Sequence, residues 1–307
     1  MGRPYVVVVG GANVDISGRP SARLVRHDSN LGAVRLAHGG VGRNIAHNLA
    51  LLDVDVRLVT AFGDDALAEG LKAGCREAGI DVSASLDVAG GNTSTYLYVT
   101  DEQGEMEVAI NDMAIVDHVT PEAVAERRAL LDGAAAVVME TNLPHETLLW
   151  LADNVASPLF CDPISTLKAR KLKGVLPKLH TLKPNRLEAQ ELTGIPVDDE
   201  WSLSSACDNL LGTGLARAFV SLGAEGLLCA EQGRSVRLQR VEGELRNATG
   251  AGDAMMAAIV WAHLQGLDLV EAGKAGLAAS SIAIEADQAV SPRMCEGLLK
   301  ERMAAQP

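Results

Sequence analysis

Three neighbouring stretches decide the fold: Ala135-Ala136-Val137-Val138-Met139-Glu140, then the segment from His145 to Val155, then Pro158-Leu159-Phe160-Cys161. The first is a short, unbroken apolar run, as expected of a strand buried on both faces. The second has helical length and spacing, and the third is another buried strand. Strand, helix and strand in close succession form a βαβ unit, whose two strands lie parallel with the helix crossing over them. The rhythm continues outward. A strand at 179–182 leads to a helix at 185–193, and a helix at 202–212 leads to a strand at 217–221. Upstream lie a helix at 121–131, a strand at 56–61 followed by a helix from about 65 to 78 capped by Asp64, and the run Tyr5-Val6-Val7-Val8-Val9 before Gly10-Gly11. A hairpin at 226–230 and 234–238 and helices near 251–265, 269–285 and 292–303 complete the chain. The fold class is α/β: three layers, with a mostly parallel central sheet covered by helices on both faces.

Two segments break this rhythm. Residues 12–38 mix β-branched and turn-forming positions. Residues 89–115 hold a hairpin (93–100 and 105–110) around the turn Asp101-Glu102-Gln103-Gly104. Both read as insertions that build a small β lid on a single domain spanning 1–307. No linker rich in Pro, Gly or Ser divides the chain.

Composition narrows the function. Lys and Arg total 27 against 40 Asp and Glu, so 27 − 40 gives a formal charge of −13. That balance excludes a nucleic acid polymer or an anionic membrane as the main partner. It leaves room for a single nucleotide, because local amides and a metal can hold phosphate. No apolar run reaches the ~18 residues of a membrane span. The first ten residues make a poor signal peptide. Five cysteines, an odd number without close pairs, fit reduced thiols in a cytoplasmic protein.

The strongest chemical signal is Asn247-Ala248-Thr249-Gly250-Ala251-Gly252-Asp253, which opens an apolar helix. Small residues at 250–252 allow a ligand close to the backbone, and a helix start offers free amides to an anion. A carboxylate there repels phosphate, unless Asp253 takes the proton of a hydroxyl that attacks the phosphorus. Gly-Ala-Gly-Asp alone serves equally as a helix start. The second signal is Lys183-Pro184-Asn185-Arg186-Leu187-Glu188. Asn185 and Glu188 lie one helical turn apart and could hold Mg²⁺ directly or through water. The same pair also fits a capping box. The third is Asn13 and Asp15 with Gly39-Gly40-Val41-Gly42-Arg43-Asn44, where Asp15 and nearby amides could grip sugar hydroxyls or merely make a turn. A Walker-type loop is absent, and Gly10-Gly11-Ala12-Asn13 lacks the dinucleotide fingerprint.

Taken together, these motifs in this order make the chain resemble the ribokinase-like (PfkB-type) carbohydrate kinases, and the resemblance covers nearly the whole sequence. It is carried by Gly39 to Ala46, Val108 to Met113, His180 to Glu188 and Thr249 to Met256. Within the family the match is nearest to kinases that act on a nucleoside. The resemblance implies ATP as phosphate donor, Mg²⁺, a nucleoside as acceptor through its 5′-hydroxyl, and a homodimer paired through the lids. It makes Asp253 the base and Gly250, Ala251 and Gly252 the anion hole. Asn185, Ser221, Gly223, Thr249, Gly250 and Gly252 would face the nucleotide, with Asn185 and Glu188 at the metal. The helix around Ala278 to Ile282 would flank adenine. Asp15, Gly40 and Asn44, supported by Asn13 and Asn142, would meet the sugar. Acceptors for a base edge on or near the lid would come from Ser29, Asn30, Thr93, Ser94, Asn111 and Asp112, since an aromatic content of 3% leaves recognition to hydrogen bonds. Two positions depart from the family. Asn247 is neutral where many relatives carry an acid beside a monovalent cation, which puts K⁺ activation in doubt. Arg43 stands where lysine is common. The competing readings are a kinase of another nucleoside or of ribose, a regulator that binds without catalysis, and a dinucleotide oxidoreductase.

Overall fold

The computed structural model describes residues 3–306. The strands in chain order are β1 Tyr5–Val9, β2 Asn13–Pro20, β3 Gly32–Gly39, β4 Asp55–Val59, β5 Ala61–Phe62, β6 Ile80–Asp81, β7 Leu86–Asp87, β8 Thr95–Thr100, β9 Met106–Asp112, β10 Ala136–Glu140, β11 Leu159–Asp162, β12 Thr181–Leu182, β13 Arg217–Ser221, β14 Leu227–Glu231 and β15 Arg234–Leu238. Nine of them form one sheet in the order β15-β14-β13-β12-β11-β10-β1-β4-β6. All its pairs are parallel except β13–β14 and β14–β15, the hairpin at one edge.

The unbroken apolar runs are explained by burial on both sides. Val6 and Val8 of β1 point into one core, packed with Ile45, Leu49, Met256 and Val260. Val7 and Val9 point into the other, with Val116, Met139, Leu148 and Leu151. Period-two alternation thus feeds two helical layers from one strand. The helices Val41–Leu51, Ala251–Leu264 and Leu269–Ile284 form one layer, and His145–Asn154 belongs to the other.

A separate four-stranded sheet has the order β3-β2-β8-β9. β2 and β8 run parallel, flanked by antiparallel β3 and β9. In register across it, Asp15 lies opposite Ala37 and Tyr96, and Tyr96 opposite Asn111, so these residues share a face. The other face carries Ile16, Leu36, Leu97 and Ile110 in the same manner.

Local details differ from the sequence reading. The helix expected at 121–131 is two short ones, Pro121–Ala125 and Arg128–Asp132. Arg127 between them leaves helical geometry, and its guanidinium donates to the Ala123 carbonyl at 2.6 Å. Asp65, not Asp64, caps the helix Ala66–Glu77, accepting from Ala68 N–H at 2.9 Å. Asp64 instead accepts from Gly90 N–H at 2.8 Å. The last helix starts at Glu296 rather than 292, and the short strands β6 and β7 carry too few residues to show a period.

Candidate active site

The parallel strands deliver polar residues to their carboxyl ends, the edge at which open α/β sheets bind ligands. β1 ends at Gly10-Gly11, β10 at Glu140, β11 at Asp162, and β12 runs into Lys183. Over this edge stands the start of the Ala251–Leu264 helix. Gly250 precedes it with φ of 83°, in the left-handed region, and a side chain there would overlap the Ala289 carbonyl. Only glycine fits this turn without strain. The regular ladder opens with Ala254 N–H donating to Gly250 C=O at 2.9 Å. The preceding amides of Gly252 and Asp253 belong to the first turn, which has no partner within the helix.

Asp253, in that first turn, is 9% exposed. Asn44 Nδ2 donates to its Oδ2 at 2.9 Å. Burial pushes the Asp253 carboxyl up to about 7, helped by the negative charge of Asp162, while the Asn44 hydrogen bond and Lys183 oppose the shift. A carboxyl poised there takes and gives a proton near neutral pH. Asn44 reaches it from the Val41–Leu51 helix. That helix begins after Gly40, whose φ of 98° and close approach to the Gly11 carbonyl again require glycine.

Asp15 lies against the glycine turn that leads into the Val41–Leu51 helix. Asn13 Nδ2 donates to its Oδ1 at 2.6 Å, and a side chain at Gly39 would strike its carboxylate. Burial raises the Asp15 carboxyl, against the Asn13 bond and the charge of Arg43. Arg43 is itself buried, donating Nη1 to the His38 carbonyl at 3.0 Å. Glu140 is fully buried. It accepts from the N–H of Gly11 and from Asn142, through N–H at 2.5 Å and Nδ2 at 3.1 Å. Burial raises its carboxyl against these bonds. Asn142 Oδ1 accepts from Lys168 Nζ, so both ends of the Asn142 amide already have protein partners.

Asn185 and Glu188 form a reciprocal capping box: Glu188 N–H donates to Asn185 Oδ1 at 2.9 Å and Asn185 N–H to Glu188 Oε2 at 2.8 Å. Burial raises the Glu188 carboxyl, and the nearby Asp162 charge adds to that. Among the described residues no three His, Cys, Asp or Glu side chains form a metal cage. Asn185 and Glu188 are the oxygen donors at this turn that could hold a hydrated Mg²⁺, with Glu188 Oε1 outside the box. Ser221 pairs with Asn185 in an isolated bridge, its N–H donating to the Pro184 carbonyl at 2.9 Å. Gly223 opens a turn two residues on, with φ of 60°. Thr249 N–H donates to Asn247 Oδ1 at 2.9 Å, and Asn247 Nδ2 donates to the Asp287 carbonyl at 3.1 Å. In the Leu269–Ile284 helix, Ser280 Oγ donates to the Ala251 carbonyl at 2.9 Å, which ties that helix to the glycine turn.

The residues expected to meet a base scatter. Ser29 and Asn30 lie in the loop beyond the last pair of the β2–β3 hairpin, Pro20–Gly32, which is five register steps or ~17 Å from Asp15 along the strand. Asn30 is used there, accepting from Val25 N–H at 2.8 Å and donating to its carbonyl at 2.8 Å. Thr93 Oγ1 donates to Asp65 at 2.7 Å, which ties the strand to a helix cap. Asp112 faces away from the Asp15 row and accepts from Ala114 N–H at 3.2 Å. Asn111 does share the Asp15 face, and Ser94 Oγ is buried without a partner. Sequence reading passed over Glu140 and Asp162 and gave Lys183 no role. The available signal was a charged residue at the end of an apolar parallel strand.

The chain matches the pattern of the pfkB family carbohydrate kinases over residues 3–294 and belongs to that family. It is a phosphotransferase with an alcohol group as acceptor. Over 292 residues it is 37% identical to the pseudouridine kinase of Escherichia coli, covering 94% of this chain and 93% of that protein. An uncharacterized sugar kinase of the same organism is 36% identical over 91% of this chain and 77% of its own length. A carbohydrate kinase from Agrobacterium tumefaciens superimposes with a TM-score of 0.88 at 27% identity, covering 99% and 98% of the two chains. The ribokinase of Arabidopsis thaliana does so at 0.86 with 21% identity, covering 98% and 99%, a likeness of fold.

Proposed function

We propose that this protein transfers the γ-phosphoryl group of ATP to the 5′-hydroxyl of pseudouridine. The observation that carries the chemistry is Asp253: a buried carboxyl pushed up to about 7, bonded to Asn44, at a helix start with free amides. The 5′-oxygen attacks phosphorus, its proton passes to Asp253, and the bond to the β-phosphate oxygen breaks. The amides at Gly250 to Gly252 receive the charge on the transferring group. The work is positioning and charge stabilisation. Mg²⁺ on the ATP phosphates would screen their charge, held by Glu188 and Asn185 through its waters. Asp15, with Asn13 and Asn44, grips the ribose hydroxyls, and Glu140 fixes Gly11 and Asn142 around them. Asn247 closes the turn before the anion hole with a neutral amide, which puts activation by K⁺ in doubt.

The acceptor rests on the 37% identity to a pseudouridine kinase. Pseudouridine presents a ring N–H that uridine lacks. Ser94 Oγ, buried without a partner, and Asn111, on the Asp15 face, would accept from it, and a site built on such a bond discriminates by about 10⁴-fold. The four-stranded sheet acts as a lid that excludes water. Its exposed Val34, Leu36, Leu97, Val108 and Ile110 pair two copies into a homodimer, and the enzyme works in the cytoplasm. The similarity to a sugar kinase supports a second reading, in which the acceptor is ribose or another nucleoside. Turnover of pseudouridine, uridine, inosine, adenosine and ribose with Mg·ATP separates the two. Pseudouridine should lead the series by kcat/KM. Equal or faster turnover of ribose would replace the first reading with the second.

A further inference from the structure

One buried charge pair touches no reacting group in the chemistry above. Lys183 and Asp162 lie beneath the helix start, with Nζ 3.0 Å from Asp162 Oδ2 and both side chains 6% exposed. A buried ion pair is a poor stabiliser, often matched by apolar residues of equal volume. Its presence at this place calls for another role.

The geometry supplies one. A methyl group built on Gly252 would stand 3.2 Å from Lys183 Nζ. The ammonium therefore lies against the backbone whose amides face the transferring phosphoryl group. An ammonium has three donors, and among the described residues Asp162 is the one ion-pair partner of Nζ. Asp162 is itself fixed: its Oδ1 accepts from Ile164 N–H at 2.9 Å, in a turn where Ile164 takes a φ of 62°. A β-branched residue in the left-handed region is strained, and such strain persists where the surroundings impose it.

We propose that Lys183 is a catalytic residue that donates to the transferring phosphoryl oxygens, with Asp162 as the positioning residue that aims it. The proposal rests on the kinase reading above. Lys183 keeps its proton throughout and stabilises charge in the transition state, beside the Gly252 amide.

The test uses the full-length enzyme and the variants Lys183→Met, Asp162→Asn and the double variant K183M/D162N. The double variant leaves no unpaired buried charge, so it folds even where K183M alone does not. Removing one preorganised donor lowers kcat by roughly 10²–10³-fold. K183M/D162N should show that loss with an unchanged KM for the nucleoside, and D162N a smaller one. Because Asp162 acts through Lys183, adding D162N to K183M should cost nothing further. Wild-type kcat in the double variant would mean that Lys183 merely neutralises Asp162, and would overturn the proposal. A second readout does not need turnover: inorganic tripolyphosphate with Mg²⁺ should raise the Tm of the wild type and shift the double variant much less. Equal shifts, or no shift in the wild type, count against Lys183. A wild type that phosphorylates another acceptor but not pseudouridine, with the same loss of kcat in K183M/D162N, sinks the proposed acceptor while sparing this assignment.

Discussion

The hydrogen bond from Asn44 to Asp253 sets the pH at which the base works. Replacing Asn44 with Leu keeps the fork at Cγ and removes the donor 2.9 Å from Asp253 Oδ2. A hydrogen bond to a charged group contributes about 1.5–3 kcal/mol. That bond favours the ionised carboxylate, and about 1.4 kcal/mol corresponds to one pKa unit. Asp253 stands at about 7 in the intact site, so its loss places the carboxyl near ~8–9. At pH 7 the ionised fraction falls from about one half to between about one tenth and one hundredth, a loss of ~5- to 50-fold in kcat/KM. At pH 9.5 most of that loss should vanish, and what persists measures Asn44 contacts with the sugar. The assay is kcat/KM for the nucleoside from pH 5.5 to 9.5, with saturating Mg·ATP, in both enzymes. Titration of ATP is common to both, so the displacement between the two acid limbs isolates Asp253. Coincident limbs, or a loss equal at every pH, would refute the assignment.

Three further outcomes follow from the same geometry. Because Asp253 is raised from 3.8 to about 7 in the folded state, its contribution to stability is full below 3.8 and is lost as pH rises through 7. Wild-type stability in urea should therefore fall between pH 5 and 7 by up to about 1.4 kcal/mol per pH unit more than that of Asp253→Asn; parallel curves would contradict the shift. Replacing potassium with choline should leave kcat unchanged, since Asn247 closes its turn with a neutral amide; an activity restored by potassium alone contradicts this. Sedimentation should show a dimer that Val108→Asp with Ile110→Asp converts to monomers; a monomeric wild type would remove the lid interface.

Some of this was legible in the sequence for a physical reason. The strands β1, β10 and β11 are buried on both faces, so their unbroken apolar runs identify them without any partner. The glycine turn before Asp253 and the Asn185–Glu188 capping box are made of adjacent residues, and local geometry needs only local sequence. Glu140, Asp162 and Lys183 were not legible as a group. Each ends a different strand, and only the order β12-β11-β10 sets them side by side. The four-stranded sheet shows the opposite case. Ser29 and Asn30 have suitable chemistry, but the hairpin register carries them to its tip. Thr93 has a suitable hydroxyl, but Asp65 takes it. Ser94 differs from its neighbour only in having its oxygen left without a partner, a fact that folding creates.

The most direct test compares wild type with Asp253→Asn, pairing Mg·ATP turnover on pseudouridine with calorimetric binding of pseudouridine alone. The account predicts phosphate transfer to the 5′-oxygen by the wild type, and a variant that binds the nucleoside with similar affinity yet turns over at least ~10³-fold more slowly. An Asp253→Asn variant of undiminished kcat would contradict it.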